Sequence, residues 1–174
     1  MANAATLTMD ATLLPTEIAK TLENISVVYT PADATEGWYY KLTNVTTSSA
    51  DLLENTTGAY IGKGATPTSV DTSGSSAVTS VSDKVKFLFI KHLSVREDGS
   101  TSNTADSIYI VLDGDTVAHN TADAIEIGPG ECWFAKMNGA TIADIHAISG
   151  QKAGAGTGGN KVQCMVAAIL DDVT

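Results

Sequence analysis

The sequence predicts an all-β fold: an antiparallel β-sandwich or jelly-roll-like body with an extended, partly irregular N-terminal arm. Three observations predict it. In the second half of the chain, short apolar runs are separated by turn residues about every eight to twelve positions, the rhythm of sandwiches and barrels. Charged residues make up only 17% of the chain, and Ser, Thr, Ala and Gly fill the difference, a composition that favours strands and turns over long helices. The 43% of hydrophobic residues in 174 positions is enough for one real core.

Taken in order, residues 1–65 read as an N-terminal arm with the first strands. Thr6–Leu14 has strand character. Thr16–Ile25 reads as a short helix or strand, because Ile18, Leu22 and Ile25 keep helical spacing over too short a run to decide. Ile25–Thr30 reads as a strand stopped by Pro31, and residues 38–45 (WYYKLTNV), aromatic and β-branched, as another. Residues 66–82 are nearly all small and polar, which predicts a Ser/Thr-rich loop or linker.

Residues 83–174 form the predicted β-sandwich body. From Val85 to Ile90 the pattern is a strand apolar on both faces at its middle. Residues 97–106 make a turn, Ser107–Leu112 a strand, and Asp113-Gly114 a tight turn. Ala124–Ile127, Cys132–Lys136, Ile142–Ser149 and Val162–Leu170 complete the set, punctuated by Gly128-Pro129-Gly130 and Asn138-Gly139. The last two runs read as a hairpin closed by a glycine-rich loop.

That loop, Gly150–Lys161 (GQKAGAGTGGNK), is the stretch closest to a nucleotide-binding motif. A phosphate loop needs Lys directly after the second Gly and then Ser or Thr; here Asn160 intervenes and Val162 follows Lys161. It must also open a helix, whereas Val162, Cys164, Val166 and Ala168 alternate as in a strand. The glycines are therefore read as turn residues.

Net charge is −10 with ten basic residues and no basic run, which disfavours nucleic acid and anionic membranes as partners. The N-terminus lacks a basic segment followed by a long apolar run, and no eighteen-residue apolar stretch occurs. The expectation is a protein made in a cytoplasm, without signal peptide or membrane span. Cys132 and Cys164 sit in apolar sequence and read as buried thiols rather than a disulfide framework. Three Asn-X-Ser/Thr sequons carry no meaning without a secretory route.

The remaining chemistry is sparse. His92, His119 and His146 are evenly spaced, but their flanks are unlike and no partner stands at ligand spacing, so no metal is expected. Asp113-Gly114-Asp115 lacks the later ligands of a calcium loop. No nucleophile elbow is present. The expectation is a protein that is not an enzyme and holds no cofactor. Trp38, Tyr39 and Tyr40 form the one dense aromatic cluster and the candidate partner interface. They read first as core or subunit contact, and second as rings stacking on a sugar or partner. Trp133 reads as core.

Ile125–Phe134 (IEIGPGECWF), with a β-rich tail ending VAAILDD, resembles virion structural proteins of tailed bacteriophages over about residues 83–174. The small, acidic, Ala/Thr/Gly-rich chain with an extended N-terminal part is similar to capsid decoration (cement) proteins among them. The resemblance implies a homotrimer on the outer capsid surface, at local threefold points between major capsid protein subunits, clamping them against internal DNA pressure. It carries over no functional residue. A tail, neck or fibre-associated virion protein and a carbohydrate-binding β-sandwich stay open as alternatives.

Overall fold

The structure, a computed structural model, describes residues 5–12, 21–29, 36–53, 60–63, 83–102, 106–117, 122–150 and 160–171. The segment 66–82, His119 and positions 151–159 of the glycine loop lie outside the described residues. The described strands, in chain order, are β1 (Ala5–Thr12), β2 (Thr21–Tyr29), β3 (Glu36–Val45), β4 (Ala50–Asp51), β5 (Tyr60–Lys63) and β6 (Lys84–Arg96). They continue with β7 (Ser107–Val111), β8 (Ile125–Ile127), β9 (Cys132–Lys136), β10 (His146–Gly150) and β11 (Val162–Asp171). All pairings are antiparallel. The chain is all-β, and its body is sandwich-like.

A five-stranded sheet runs β5-β3-β11-β6-β9 and a four-stranded sheet β4-β10-β7-β8, while among the described residues β1 and β2 pair only with each other as a two-stranded ribbon. The body thus draws on β3, β4 and β5 as well as on the C-terminal half: β3 lies directly beside β11.

Strand β11 occupies the centre of the larger sheet because it is apolar on both faces. Val162, Cys164, Val166, Ala168 and Leu170 all point into the core and are buried. Register sets Val166 between Lys41 and Ile90, and Ala168 between Tyr39 and Leu88. Ile108 and Ile110 of β7, Ile127 of β8 and Ala147 of β10 meet them from the other sheet. Each fully buried Ile, Leu or Val side chain contributes about 1.5–3 kcal/mol relative to exposure. Trp133 of β9 is half-buried and packs against this core.

The four-stranded sheet is buried on its outer side too. Tyr109, Val111 and Ile148 turn outward there and are covered by Val117 from the loop after β7, with Ala124 beside them. That explains why every residue of β7 is buried.

Two expectations are corrected. Ile142–Ser149 is not one strand: Ile142–Asp144 is a 3-10 turn, and only His146–Gly150 is extended. The Asp144 carboxylate accepts the Thr141 N–H (2.7 Å) and hydroxyl (2.9 Å), which closes the turn. Ile142 and Ile145 can then both enter the core, although three positions apart they would face opposite sides of a strand.

Nor are β10 and β11 a hairpin. Strand β10 pairs with β7 and β4, and β11 with β3 and β6, so the glycine loop passes from one sheet to the other. Length decides this: five-residue β10 matches five-residue β7, whereas ten-residue β11 matches ten-residue β3 across its whole length. No helix among the described residues is long and apolar enough to cross a membrane.

Candidate functional site

Two regions hold side chains arranged for more than packing. One is a polar end of the sandwich, where the glycine loop returns at Asn160 and Lys161. The other is the outer face of the five-stranded sheet.

At the polar end, buried His92 is held through both ring nitrogens. The Ser94 N–H can only donate, so Nδ1 accepts from it (3.0 Å), and Nε2 donates to the carbonyl of Asp106 (2.7 Å). Ser94 adopts a positive φ of 60° to make that contact. The Asp106 carboxylate has no exposure and is satisfied from two sides. Arg96 reaches Oδ2 through Nε (2.9 Å) and Nη2 (2.8 Å), while the Asn160 amide donates to Oδ1 (3.2 Å). Asn160 in turn accepts from Ser149 Oγ through its carbonyl (2.8 Å).

This network ties both ends of the glycine loop to the turn between β6 and β7. It is a structural clamp, and it accounts for what the loop does at its described ends. Outside it lies an open cleft of about 320 Å³ lined by Thr47, Arg96, Glu97, Asp98, Asn160 and Lys161. Its rim pair, Lys161 with Glu97 (3.1 Å), is half-exposed. The side-chain and backbone hydrogen bonds from Ser100 hold the Asp98 carboxyl below the usual range.

Of the other histidines, His146 meets the Asp115 carbonyl (2.8 Å) and the Asp51 carboxylate (3.0 Å), joining β10 to the Asp113–Asp115 turn and to β4. Among the described residues no group of three His, Cys, Asp or Glu side chains can hold a metal ion.

The second region contains the predicted aromatic cluster, which strand alternation splits. Tyr39 faces inward at 1% exposure and belongs to the core. Tyr40 faces outward at 39%, and Leu42, two residues on, is 60% exposed. Trp38 pairs through its backbone register with Ile169 of β11 and Gly62 of β5.

Across the sheet, Tyr40 aligns with Ala167, Phe89 and Phe134, and Leu42 with Met165, Lys91 and Cys132. Met165, Ala167, Phe89 and Phe134 are half-buried, whereas Lys91 and Cys132 are exposed. Cys132 therefore corrects the expectation of two buried thiols: it stands on the outward row of an edge strand, and only Cys164 is buried. Burial pushes the Cys164 thiol up to about 12, partly offset by the nearby Lys41 ammonium.

One end of this face is closed. There Tyr29, the last residue of β2, donates its hydroxyl to the buried Glu36 (2.6 Å), and the Lys136 ammonium lies 5.7 Å from its ring centroid. At that end Phe87 and Ile169 are buried. The other end opens onto a groove of about 460 Å³ lined by Lys41, Leu42, Thr43, Asn44 and Gln163. Among the described residues, the pairing of β5 with β3 ends at Tyr40. Lys41, half-buried, occupies a core-facing position on this exposed stretch, a placement that discourages another strand from adding to the edge.

Sequence reasoning found the aromatic cluster but not Leu42, Met165 or Phe134, because only the register shows that they share one surface. No family model, no curated protein and no solved structure matches the chain.

Proposed function

We propose that the protein is a structural assembly protein of a virion. Its role in this reading is that of a capsid decoration (cement) protein of a tailed bacteriophage, bound to the outer capsid surface and stabilising contacts between major capsid protein subunits. The observation that carries the reading is the open, apolar end of the five-stranded sheet. There Tyr40 and Leu42 stand exposed on β3, which pairs with β11, with half-buried Met165, Ala167, Phe89 and Phe134 beside them.

An apolar patch rimmed by polar groups, here Asn44, Gln163 and Lys91, is the usual form of a protein-binding surface. Among the described residues, Tyr109, Val111 and Ile148 on the outer side of the opposite sheet are covered by Val117 and Ala124, whereas Tyr40 and Leu42 on this face are exposed. The resemblance of residues 125–134 to phage virion proteins supplies the context. A net charge of −10 suits a surface away from packaged DNA.

The test is addition of the purified protein to capsids lacking it, read by co-sedimentation. The Leu42→Glu variant should lose binding about tenfold or more, since one buried charge without a partner costs over a kcal/mol. Wild-type affinity in that variant would refute the assignment of the face.

A second reading has its own observation. Tyr40 beside a groove bearing Asn44 and Gln163 offers a ring and amides of the kind that hold a sugar. A glycan array on wild type and Tyr40→Ala separates the two.

A further inference from the structure

Asp98-Gly99, Asp113-Gly114 and Asn138-Gly139 are turns of the same Asx-Gly kind, each with its glycine at positive φ. Their surroundings arm only the last. We infer that Asn138 is a site of spontaneous covalent modification, at which the folded protein deamidates to aspartate and isoaspartate.

The reaction needs a side-chain carbonyl carbon with a good leaving group and a following backbone nitrogen free to attack it. Asn138-Gly139 is the one Asn-Gly pair in the sequence, and glycine leaves that nitrogen unshielded by a side chain. Gly139 N forms a bond to Asn138 Cγ and closes a succinimide ring. The Cγ–Nδ2 bond breaks, and the amide nitrogen leaves as ammonia with the Gly139 proton. Water then opens the ring. Addition at Cγ restores the ordinary chain with an aspartate; addition at the main-chain carbonyl of residue 138 leaves isoaspartate, the chain now running through Cγ. Either product carries one negative charge where Asn138 carried none.

In the two aspartate turns both reacting groups are engaged. The Gly99 N–H donates to the Arg96 carbonyl (2.9 Å), and the Gly114 N–H to the Asp144 carbonyl (2.9 Å). Asp98 Oδ1 accepts the Ser100 N–H (2.9 Å), and Asp113 Oδ1 the Asp115 N–H (3.2 Å). The Ser100 hydrogen bonds also hold the Asp98 carboxyl below the usual range, which keeps it ionised and a poor electrophile.

The third turn is different. Among the described residues, neither the Asn138 side chain nor the Gly139 N–H makes a hydrogen bond. Both residues are exposed, and no atom lies within 4 Å of where a Gly139 side chain would begin. The flanks are fixed: the Met137 N–H donates to the Lys86 carbonyl (2.9 Å), and the Ala140 carbonyl accepts the Val85 N–H (2.8 Å). Asn138 and Gly139 form the open tip between these anchors, so ring closure does not wait for the sheet to unfold.

The test ages the full folded chain in mildly alkaline buffer beside the same chain in urea. Peptide mass mapping reads deamidation at every Asn, and an isoaspartyl-specific carboxyl methyltransferase with a labelled methyl donor reads isoaspartate. The expected result is a more acidic form on ion exchange that maps first to residue 138 and contains isoaspartate. It should form in the folded protein about as fast as in urea, and faster at higher pH, because the attacking nitrogen must give up its proton. Asn138→Gln, which closes only a larger and slower ring, should keep the wild-type urea midpoint and lose the early acidic form.

A folded rate about tenfold or more below the rate in urea, equal to about 1.4 kcal/mol of added barrier, overturns the inference. So does earlier reaction at another Asn, isoaspartate arising first at Asp98 or Asp113, or an early acidic form that persists in Asn138→Gln.

Discussion

Replacing Arg96 by Met should destabilise the protein more than any loss of a surface ion pair would, because of where its partner sits. Asp106 has no solvent exposure, and its Oδ2 accepts both hydrogen bonds that Arg96 donates, at 2.9 and 2.8 Å. The Arg96 side chain itself is 22% exposed, so the pair is screened on one side only. Methionine keeps most of the volume and removes both of these donors from Oδ2, while the side-chain and backbone N–H groups of Asn160 stay near Oδ1 at 3.2 and 3.5 Å. Breaking a buried ion pair from one side costs about 3–5 kcal/mol; partial screening places this case near the lower end, about 3 kcal/mol. For a domain of this length that lowers Tm by about 6–12 °C.

The assay is urea unfolding followed by tryptophan fluorescence, with Asp106→Asn and the double variant completing the cycle. The double variant should recover at least half of the loss, since a neutral amide costs less to bury than a carboxylate that has lost its cation. A loss below about 1 kcal/mol in Arg96→Met would refute the reasoning. So would a double variant no better than the single, which would place the cost in lost packing.

Two further predictions concern the core. Ile90→Ala, at a fully buried position between β11 and β9, should cost about 2–5 kcal/mol in the same urea assay. Cys164 should bring a pH dependence of known sign. Its thiol is raised from 9.0 to about 12 by burial, so above pH 9 the unfolded chain binds fewer protons there than the native one. Stability from this group is therefore complete below pH 9 and falls between 9 and about 12, by up to about 1.4 kcal/mol per pH unit. Urea midpoints of Cys164→Ala should lack that component of the decline.

Most strands were legible because a half-buried strand alternates and a fully buried one does not; β3, β6, β7, β9 and β11 each fall on a run readable from residue types alone. The two-residue β4 and the four-residue β5 were missed, being too short to establish a period. Ile142–Asp144 was misread since apolar spacing there satisfies either a strand or a tight turn, and only the Thr141–Asp144 hydrogen bonds choose. The aromatic cluster was visible as a cluster, but a run of adjacent aromatics does not say which ring goes inward.

What the sequence by itself determined is the class of structure: alternating apolar runs broken by Gly, Asn, Asp and Pro admit an all-β fold with little helix, and a phosphate loop was excluded by the order of Asn160, Lys161 and Val162. What only the tertiary structure decided is partnership. Which strands pair depends on contacts between residues far apart in the chain, such as β3 with β11, and local pattern carries no record of them. That pairing sent β10 and β11 to different sheets. It also turned Tyr39 into the core and Tyr40 outward, and it gathered Leu42, Met165, Lys91 and Cys132 into one row across four strands. A surface of that kind exists only once register is set, because a shift of one residue would move every one of those side chains to the other face.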